Sequence, residues 1–421
     1  MKIRKVVWQW HMLIKTKYDT QSSKFTSRIF LYFPYPFLEF LQKPKIKIKE
    51  MALKAVHVSD VPNLDQVPGN VTLNYLHSPR VCEGVNEDGD ETKSGYKFPK
   101  FVVMGHRGSG MNMLQSSDQR MKSMKENTIL SFNAAARHPL DFIEFDVQVT
   151  RDGCPVIFHD NFIFTKDEGE IIEKRVTDIT LAEFLSYGPQ NDPENVGKPM
   201  LRKTKDGRIF EWKVEKDTPL CTLQEAFEKV DQSVGFNVEL KFDDQLVYTE
   251  EELTHALEAI LKVVFEHAQG RPIMFSSFQP DAALLIRKLQ STYPVFFLTN
   301  GGAQTCTDVR RSSLDEAIKV CLAGGLQGIV SDVRAIFKNP GAIKKIKEAR
   351  LCLVSYGELN NVPEVVYMQR FMGIEGVIVD LVSEITEAVS DFIKNEEEIK
   401  EEIVFAEDGK LLVKNKSPIL K

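Results

Sequence analysis

The chain has no apolar run approaching the roughly 20 residues that span a bilayer; the nearest, Ile29 to Leu41, is broken by Pro34, Pro36 and Glu39. A soluble protein without stable membrane insertion is therefore expected. Excess positive charge is also missing. A formal net charge of -6 and a pI near 5.9 remove any general electrostatic argument for nucleic-acid binding, so an anionic ligand has to be held by local cations or by metal. Six cysteines, Cys82, Cys154, Cys221, Cys306, Cys321 and Cys352, form no C-x-x-C pair and no metal-finger spacing. They read as reduced thiols of a cytosolic, plastid or similar interior compartment. Gly301-Gly302 and Gly324-Gly325 lack both the G-x-G-x-x-G and the P-loop pattern and read as turns and helix ends.

With 421 residues, 43% hydrophobic, the chain is long enough for one large α/β domain with appendages. Residues 1–50 lack glycine, carry only Asp19, Glu39 and Glu50 as acids, and are rich in lysine and aromatics. This basic N-terminal extension is either an organellar transit peptide or an upstream extension ahead of Met51. Residues 51–100, with Pro62, Pro68, Pro79 and an acidic Glu83 to Glu91 stretch, read as a polar, mobile arm.

From residue 101 strands and helices alternate. Strands are predicted at 101–105, 141–149, 234–242, 272–277, 294–299, 327–332, 351–356 and 374–380. Apolar residues at three and four spacing predict helices at 126–137, 250–267, 280–290, 314–323, 342–349 and 363–371. Eight strands in this order imply a (β/α)8 TIM barrel over residues 101–392, with its functional rim at the strand C-termini. Val156 to His159 is an extra strand-like run joined to the second strand through Asp152-Gly153. Residues 160–220 break the rhythm and predict an insertion after the second barrel strand, for which a lid is the natural role. Residues 393–421 form a charged, solvated tail.

Three strand-like runs end in groups that ligate metal or move protons: His106-Arg107-Gly108, Glu144-Phe145-Asp146 and His159-Asp160. A parallel barrel gathers such ends on one rim. Glu144 and Asp146 lie two apart, so both point to one face of their strand, where they repel unless a cation or a proton intervenes. Glu239 adds a third carboxylate at the end of the next strand, with Lys241 two residues on along the same face. All-oxygen ligation suits Mg²⁺ or Ca²⁺, and His106 and His159 suit an acid/base pair. The competing structural readings are salt bridges to neighbouring strands for the acids, and a core or turn-capping place for each histidine. The shared position of these groups at strand ends favours a site. Asn127 fits a helix cap or a place near the site. Trp212 and Phe210 fill the insertion's own small core or cover a ligand, the first being the default. His11, His57, His77, His138, His255 and His267 lie in tails or on helices and receive no catalytic role.

Taken in order, Gly105-His106-Arg107-Gly108, Glu126-Asn127-Thr128, Glu144-Phe145-Asp146-Val147, Asp152-Gly153-Cys154-Pro155-Val156, His159-Asp160, Val238-Glu239-Leu240-Lys241 and Ser277-Phe278 resemble the glycerophosphodiester phosphodiesterase family. Ala52 to Val61 and the long insertion resemble its plant members, and the similarity covers residues 51 to 390. The resemblance implies a TIM barrel that hydrolyses small-molecule glycerophosphodiesters such as glycerophosphocholine to an alcohol and sn-glycerol 3-phosphate. It implies a divalent cation, Mg²⁺ or Ca²⁺, on Glu144, Asp146 and Glu239, an acid/base pair in His106 and His159, and phosphate binding by Arg107 and Lys241. Attack by water and attack by the substrate's own vicinal hydroxyl both stay open. It further implies a part in phosphate salvage from lipid breakdown, in plastid or cytoplasm. Two places depart from the pattern: Val354 stands where relatives commonly carry Trp at the end of the seventh strand, and Val379-Asp380 where they carry Thr-Asp at the end of the eighth. The stretch from Gly108 to Glu126 is also long and Met-rich. The alternatives are a lysophospholipase D-type enzyme of the same superfamily and a catalytically silent phosphate-binding barrel. Nothing in the residues speaks to oligomeric state.

Overall fold

Strands covered on both faces need continuous apolar runs rather than alternation, and eight such runs form the ring that positions everything else. They are β1 Val102–Gly105, β2 Phe142–Val149, β3 Gly235–Leu240, β4 Ile273–Ser277, β5 Val295–Thr299, β6 Gly328–Asp332, β7 Cys352–Tyr356 and β8 Gly376–Val379. The computed structural model describes residues 12–18, 25–31, 96–189, 196–204 and 206–407, with side chains only between 96 and 394. Each barrel strand pairs in parallel with the next, and β8 pairs with β1, which in turn pairs with β2 and closes the barrel. The expected (β/α)8 architecture is therefore present.

The helices at Glu250–His267 and Pro363–Phe371 appear with the predicted bounds. The first helix instead begins at Ile129, because the Thr128 side chain accepts the Ser131 N–H and caps it. Asn127 is thereby freed from the capping role. A helix at Val333–Lys338, capped by Asp332, escaped the periodicity reading because six residues are too few to display a 3.6-residue repeat.

At the strand starts the barrel is filled by Val102, Met104, Met274, Phe296, Val330, Cys352, Val354 and Ile378, with Phe98 packed against them from the segment before β1. Val354 belongs to this apolar core and is fully buried. Its assignment to a rim position is corrected here: β7 runs two residues further, and Tyr356 stands at its end.

The insertion is a folded body. β2 turns back through Pro155–Ile157 in antiparallel register, and a four-stranded antiparallel sheet follows in the order Glu170–Arg175, Phe162–Asp167, Leu201–Lys203, Ile209–Glu211. Val156, Phe158, Ile163, Phe184, Tyr187 and Trp212 are among the residues that form its core. Trp212 thus packs inside the insertion, as the default reading has it, while Phe210 is half-buried. The Met-rich segment after β1 belongs to the same body: Lys125 N donates to Lys216 O, Lys216 N to Ser123 O, and Lys125 and Asp217 form an ion pair at 2.7 Å with side chains 1% and 2% exposed.

Residues Met12–Tyr18 and Phe25–Leu31 form an antiparallel pair within a separate unit, Met1–Pro62. Most of the proposed 51–100 arm lies outside the described residues. The last helix, Val382–Glu407, continues through the expected domain boundary at 392, and residues 408–421 lie outside the described residues. No helix among the described residues is long and apolar enough to cross a membrane.

If the insertion core is packed as described, Phe184→Ala, at a fully buried position, should lower unfolding free energy by about 3–5 kcal/mol in denaturant titration. A loss within about 0.5 kcal/mol, the surface-substitution range, would contradict that packing.

Candidate active site

The motif after β1 is shaped by close approach. A Cβ on Gly108, whose φ is +92°, would stand 2.5 Å from Ser131 Oγ and 2.9 Å from Phe132 Cδ1, so the turn admits only glycine. This turn holds Arg107 at φ 50°, and Asn127 sits at φ 56°. Both are non-glycine residues in the left-handed region, and they lie side by side through Asn127 N to Arg107 O at 3.0 Å. Such strain persists only where the surroundings enforce it.

Parallel pairing of β2 and β3 sets Asp146 opposite Glu239 and Glu144 opposite Asn237. Carboxylate oxygens of Glu144, Asp146 and Glu239 all lie within 4.8 Å of one another, and all three residues are buried. Glu144 Oε1 and Asp146 Oδ1 have no hydrogen-bond partner. The other oxygens are used: Glu144 Oε2 accepts Arg107 N at 2.9 Å, and Asp146 Oδ2 accepts Asn127 Nδ2 at 2.9 Å. Two carboxyl oxygens without hydrogen-bond partners beside a third carboxylate fit a hard cation with oxygen ligands.

Cations already present offset the cluster in part. Lys241 Nζ lies 3.0 Å from Glu239 Oε1 and 3.6 Å from Asp146 Oδ1. Arg107 Nε lies 3.4 Å from Asp146 Oδ2, and its Nη1 donates to Glu126 Oε1 at 2.7 Å. Burial, and then the neighbouring Asp146 carboxylate, pushes Glu144 up to about 8. Asp146 moves the other way, to about 2: burial opposes its charge, but His159, Arg107 and Lys241 outweigh it. Burial also raises Glu239, against the pull of Lys241.

Each predicted histidine rests on its own carboxylate. His106 Nδ1 is 2.7 Å from Asp380 Oδ1, and His159 Nδ1 is 2.6 Å from Asp160 Oδ1. A carboxylate oxygen accepts, so each Nδ1 donates to its carboxylate and each Nε2 is left to take up or give a proton. His106 Nε2 is 4.0 Å from Glu144 Oε2. Burial lowers the proton affinity of His106 but Asp380 overcomes it, with a net rise. His159 is pushed well below its ordinary value by burial, Arg107 and Lys241. Asp380 is itself fixed: Oδ1 accepts Met111 N at 3.0 Å and Oδ2 accepts Asn361 Nδ2 at 2.9 Å.

All seven predicted residues, His106, Arg107, Glu144, Asp146, His159, Glu239 and Lys241, thus meet at one barrel mouth. Reading the sequence assigned no role to Asp380, Glu126, Asn361 or Arg202, which contact these groups or their carboxylates. Asp380 had a signal: it follows an apolar strand directly, as His106 follows β1. Arg202 had none, since it stands in a charged stretch without period. Tyr356, rather than Val354, faces the mouth from β7; its hydroxyl donates to Asn300 Oδ1 at 2.8 Å and its ring meets Phe278 edge-on at 6.0 Å.

A closed barrel with buried carboxylates and two carboxylate-backed imidazoles on its C-terminal rim defines the class, a TIM-barrel phosphoric diester hydrolase. Residues 106–384 match the glycerophosphoryl diester phosphodiesterase family, and the chain belongs to that family. It is 62% identical over 79% of its length to glycerophosphodiester phosphodiesterase GDPD3 of Arabidopsis thaliana, covering 90% of that protein. It is 58% identical over 82% of its length to the chloroplastic glycerophosphodiester phosphodiesterase GDPD1 of the same plant, covering 91% of it. A solved structure from Silicibacter pomeroyi DSS-3 shares the fold, with a TM-score of 0.51, 20% identity and coverage of 70% of this chain and 95% of that one.

The carboxylate cluster generates a pH prediction. Glu144 rises from an ordinary 4.5 to about 8 on folding, so between those values its carboxyl keeps a proton in the folded, metal-free chain that it loses in the unfolded one, and the stability this group contributes is lost as pH rises through about 8. Metal displaces that proton. Calorimetric titration should therefore find affinity for Mg²⁺ or Ca²⁺ rising from pH 5 to 8. Glu239→Gln should weaken it by about 10²-fold or more, whereas unchanged affinity would remove Glu239 from the ligand set.

Proposed function

We propose that this barrel mouth hydrolyses glycerophosphodiesters, glycerophosphocholine among them, to an alcohol and sn-glycerol 3-phosphate, with a divalent cation on Glu144, Asp146 and Glu239. The observation that carries the reading is the pair of buried oxygens on Glu144 and Asp146 that have no hydrogen-bond partner, beside two imidazoles whose proton affinities are pushed in opposite directions. When bound, the ion supplies positive charge opposite the phosphate oxygens. Arg107 and Lys241 add to it: each is held by the acids of the site, so each arrives at the phosphate already oriented.

His106 and His159 then divide the proton work. One takes the proton of the attacking oxygen, whether of water or of the substrate's vicinal hydroxyl, and the other delivers a proton to the leaving alkoxide, which is too basic to depart unaided. Asp380 and Asp160 hold each ring so that Nε2 is presented. Opposed shifts in two titratable groups are what an acid/base pair requires at one pH. Mg²⁺ and Ca²⁺ both suit the oxygen ligands. The basic N-terminal extension fits a plastid placement if it is a transit peptide and a cytoplasmic one if it is an upstream extension ahead of Met51.

Turnover of glycerophosphocholine, followed by release of glycerol 3-phosphate, tests this reading. His106→Ala and His159→Ala are each expected to lower kcat by about 10²–10⁴-fold while thermal unfolding and metal affinity stay near wild type. The pH profile of kcat/KM should be bell-shaped, with each variant removing a different limb. Loss of metal binding in both variants would make the histidines ligands and overturn the assignment. Asp380→Asn should cost kcat about 10²-fold with little change in KM; an unchanged kcat would show that His106 needs no carboxylate behind it.

A further inference from the structure

Arg202 lies on the insertion strand Leu201–Lys203, outside every motif that marks the site, yet its guanidinium reaches three acceptors beside the barrel mouth. Nη1 donates to Glu126 Oε2 at 3.0 Å and to Asn112 O at 3.2 Å, and Nη2 donates to Asp160 Oδ1 at 3.0 Å. Its flat face lies 4.4 Å from the centroid of Trp212, whose indole N–H is held by Asn112 Oδ1 at 3.0 Å. The side chain is 12% exposed. A planar fork stacked on an aromatic ring and bonded at both nitrogens has little rotational freedom left.

The oxygen that accepts Arg202 Nη2 is the same Asp160 Oδ1 that accepts His159 Nδ1. On the other side, the carboxylate that accepts Arg202 Nη1 is the one whose second oxygen accepts Arg107 Nη1. The main chain of the His159 turn has its own tether, Gln148 Nε2 donating to Phe158 O at 2.7 Å and Asp160 O at 3.0 Å. What Gln148 leaves free is the carboxylate rotamer of Asp160.

We propose that Arg202 is a positioning residue, through which the insertion fixes the Asp160 carboxylate and hence the orientation and tautomer of His159. The insertion on this account is a fixed platform of the reaction: its core contains Phe158, the neighbour of His159, and Trp212, the ring on which Arg202 lies. The inference rests on the phosphodiesterase reading and concerns how that site is held.

A double-mutant cycle on the full chain at saturating metal tests it. Arg202→Met keeps an apolar stem on Trp212 and removes the fork. It should lower kcat by about 10–10²-fold, the range expected for a misplaced reacting group, with KM within about threefold. Asp160→Asn should do the same, and the double variant should be little slower than Asp160→Asn alone, because both act through one ring. Multiplying losses, or a loss confined to KM, would overturn the proposal. Should Arg202→Met not fold, the same cycle with Arg202→Lys applies: a single ammonium cannot reproduce the fork, so the non-additive kcat loss is still expected. Wild-type protein inactive on glycerophosphocholine would instead overturn the hydrolase reading, and this inference with it.

Discussion

Mutual repulsion among Glu144, Asp146 and Glu239 is the constraint on which the site depends. Three carboxylates within 4.8 Å in a buried barrel mouth are unfavourable unless opposite charge is supplied. Arg107 and Lys241 supply part of it from within the chain, and Asn127 contributes a neutral donor. Two oxygens still lack a hydrogen-bond partner. The strained turns at Arg107 and Asn127, the register of β2 on β3 and the glycines of the first motif all serve to hold these charges at this spacing.

Around that cluster the charges are layered. Arg107 touches Asp146 and Glu126, Glu126 touches Arg202, and Arg202 touches Asp160 behind His159. On the other side Asn361 holds Asp380, which holds His106. Burial opposes the charge on Glu126, but the flanking Arg202 and Arg107 guanidiniums outweigh it and bring it down to about 2. Removing one member of such a chain leaves another uncompensated, which costs more than the pair contributes. The proposed acid/base groups and the proposed metal-binding cluster are therefore parts of one network whose outer members stand on the insertion and on the loop after β7.

Much of this was legible from the residues alone. Eight apolar runs predicted the barrel because strands covered on both faces cannot alternate, and His106, Glu144, Asp146 and Glu239 were readable because charged groups at the ends of such runs are costly without a purpose. The rest depended on contacts that have no local signature. Arg202 reaches Asp160 and Glu126 across 42 and 76 residues of sequence, and nothing in its neighbourhood distinguishes it from a solvated arginine. The Val354 assignment failed because an apolar run gives no indication of which inward residue is the last before the rim; two residues decide between the core and Tyr356. Asn127 stood between a helix cap and a place near the site because Thr128, one residue on, caps equally well, and only the fold shows that Asn127 turns toward Asp146.

Anomalous diffraction from a Mn²⁺- or Ca²⁺-soaked crystal tests the central claim most directly. The account predicts one strong peak at about 2.1–2.6 Å from oxygens of Glu144, Asp146 and Glu239, with His106 and His159 outside the coordination sphere. A peak ligated by either imidazole, or no peak at the three carboxylates, would contradict it.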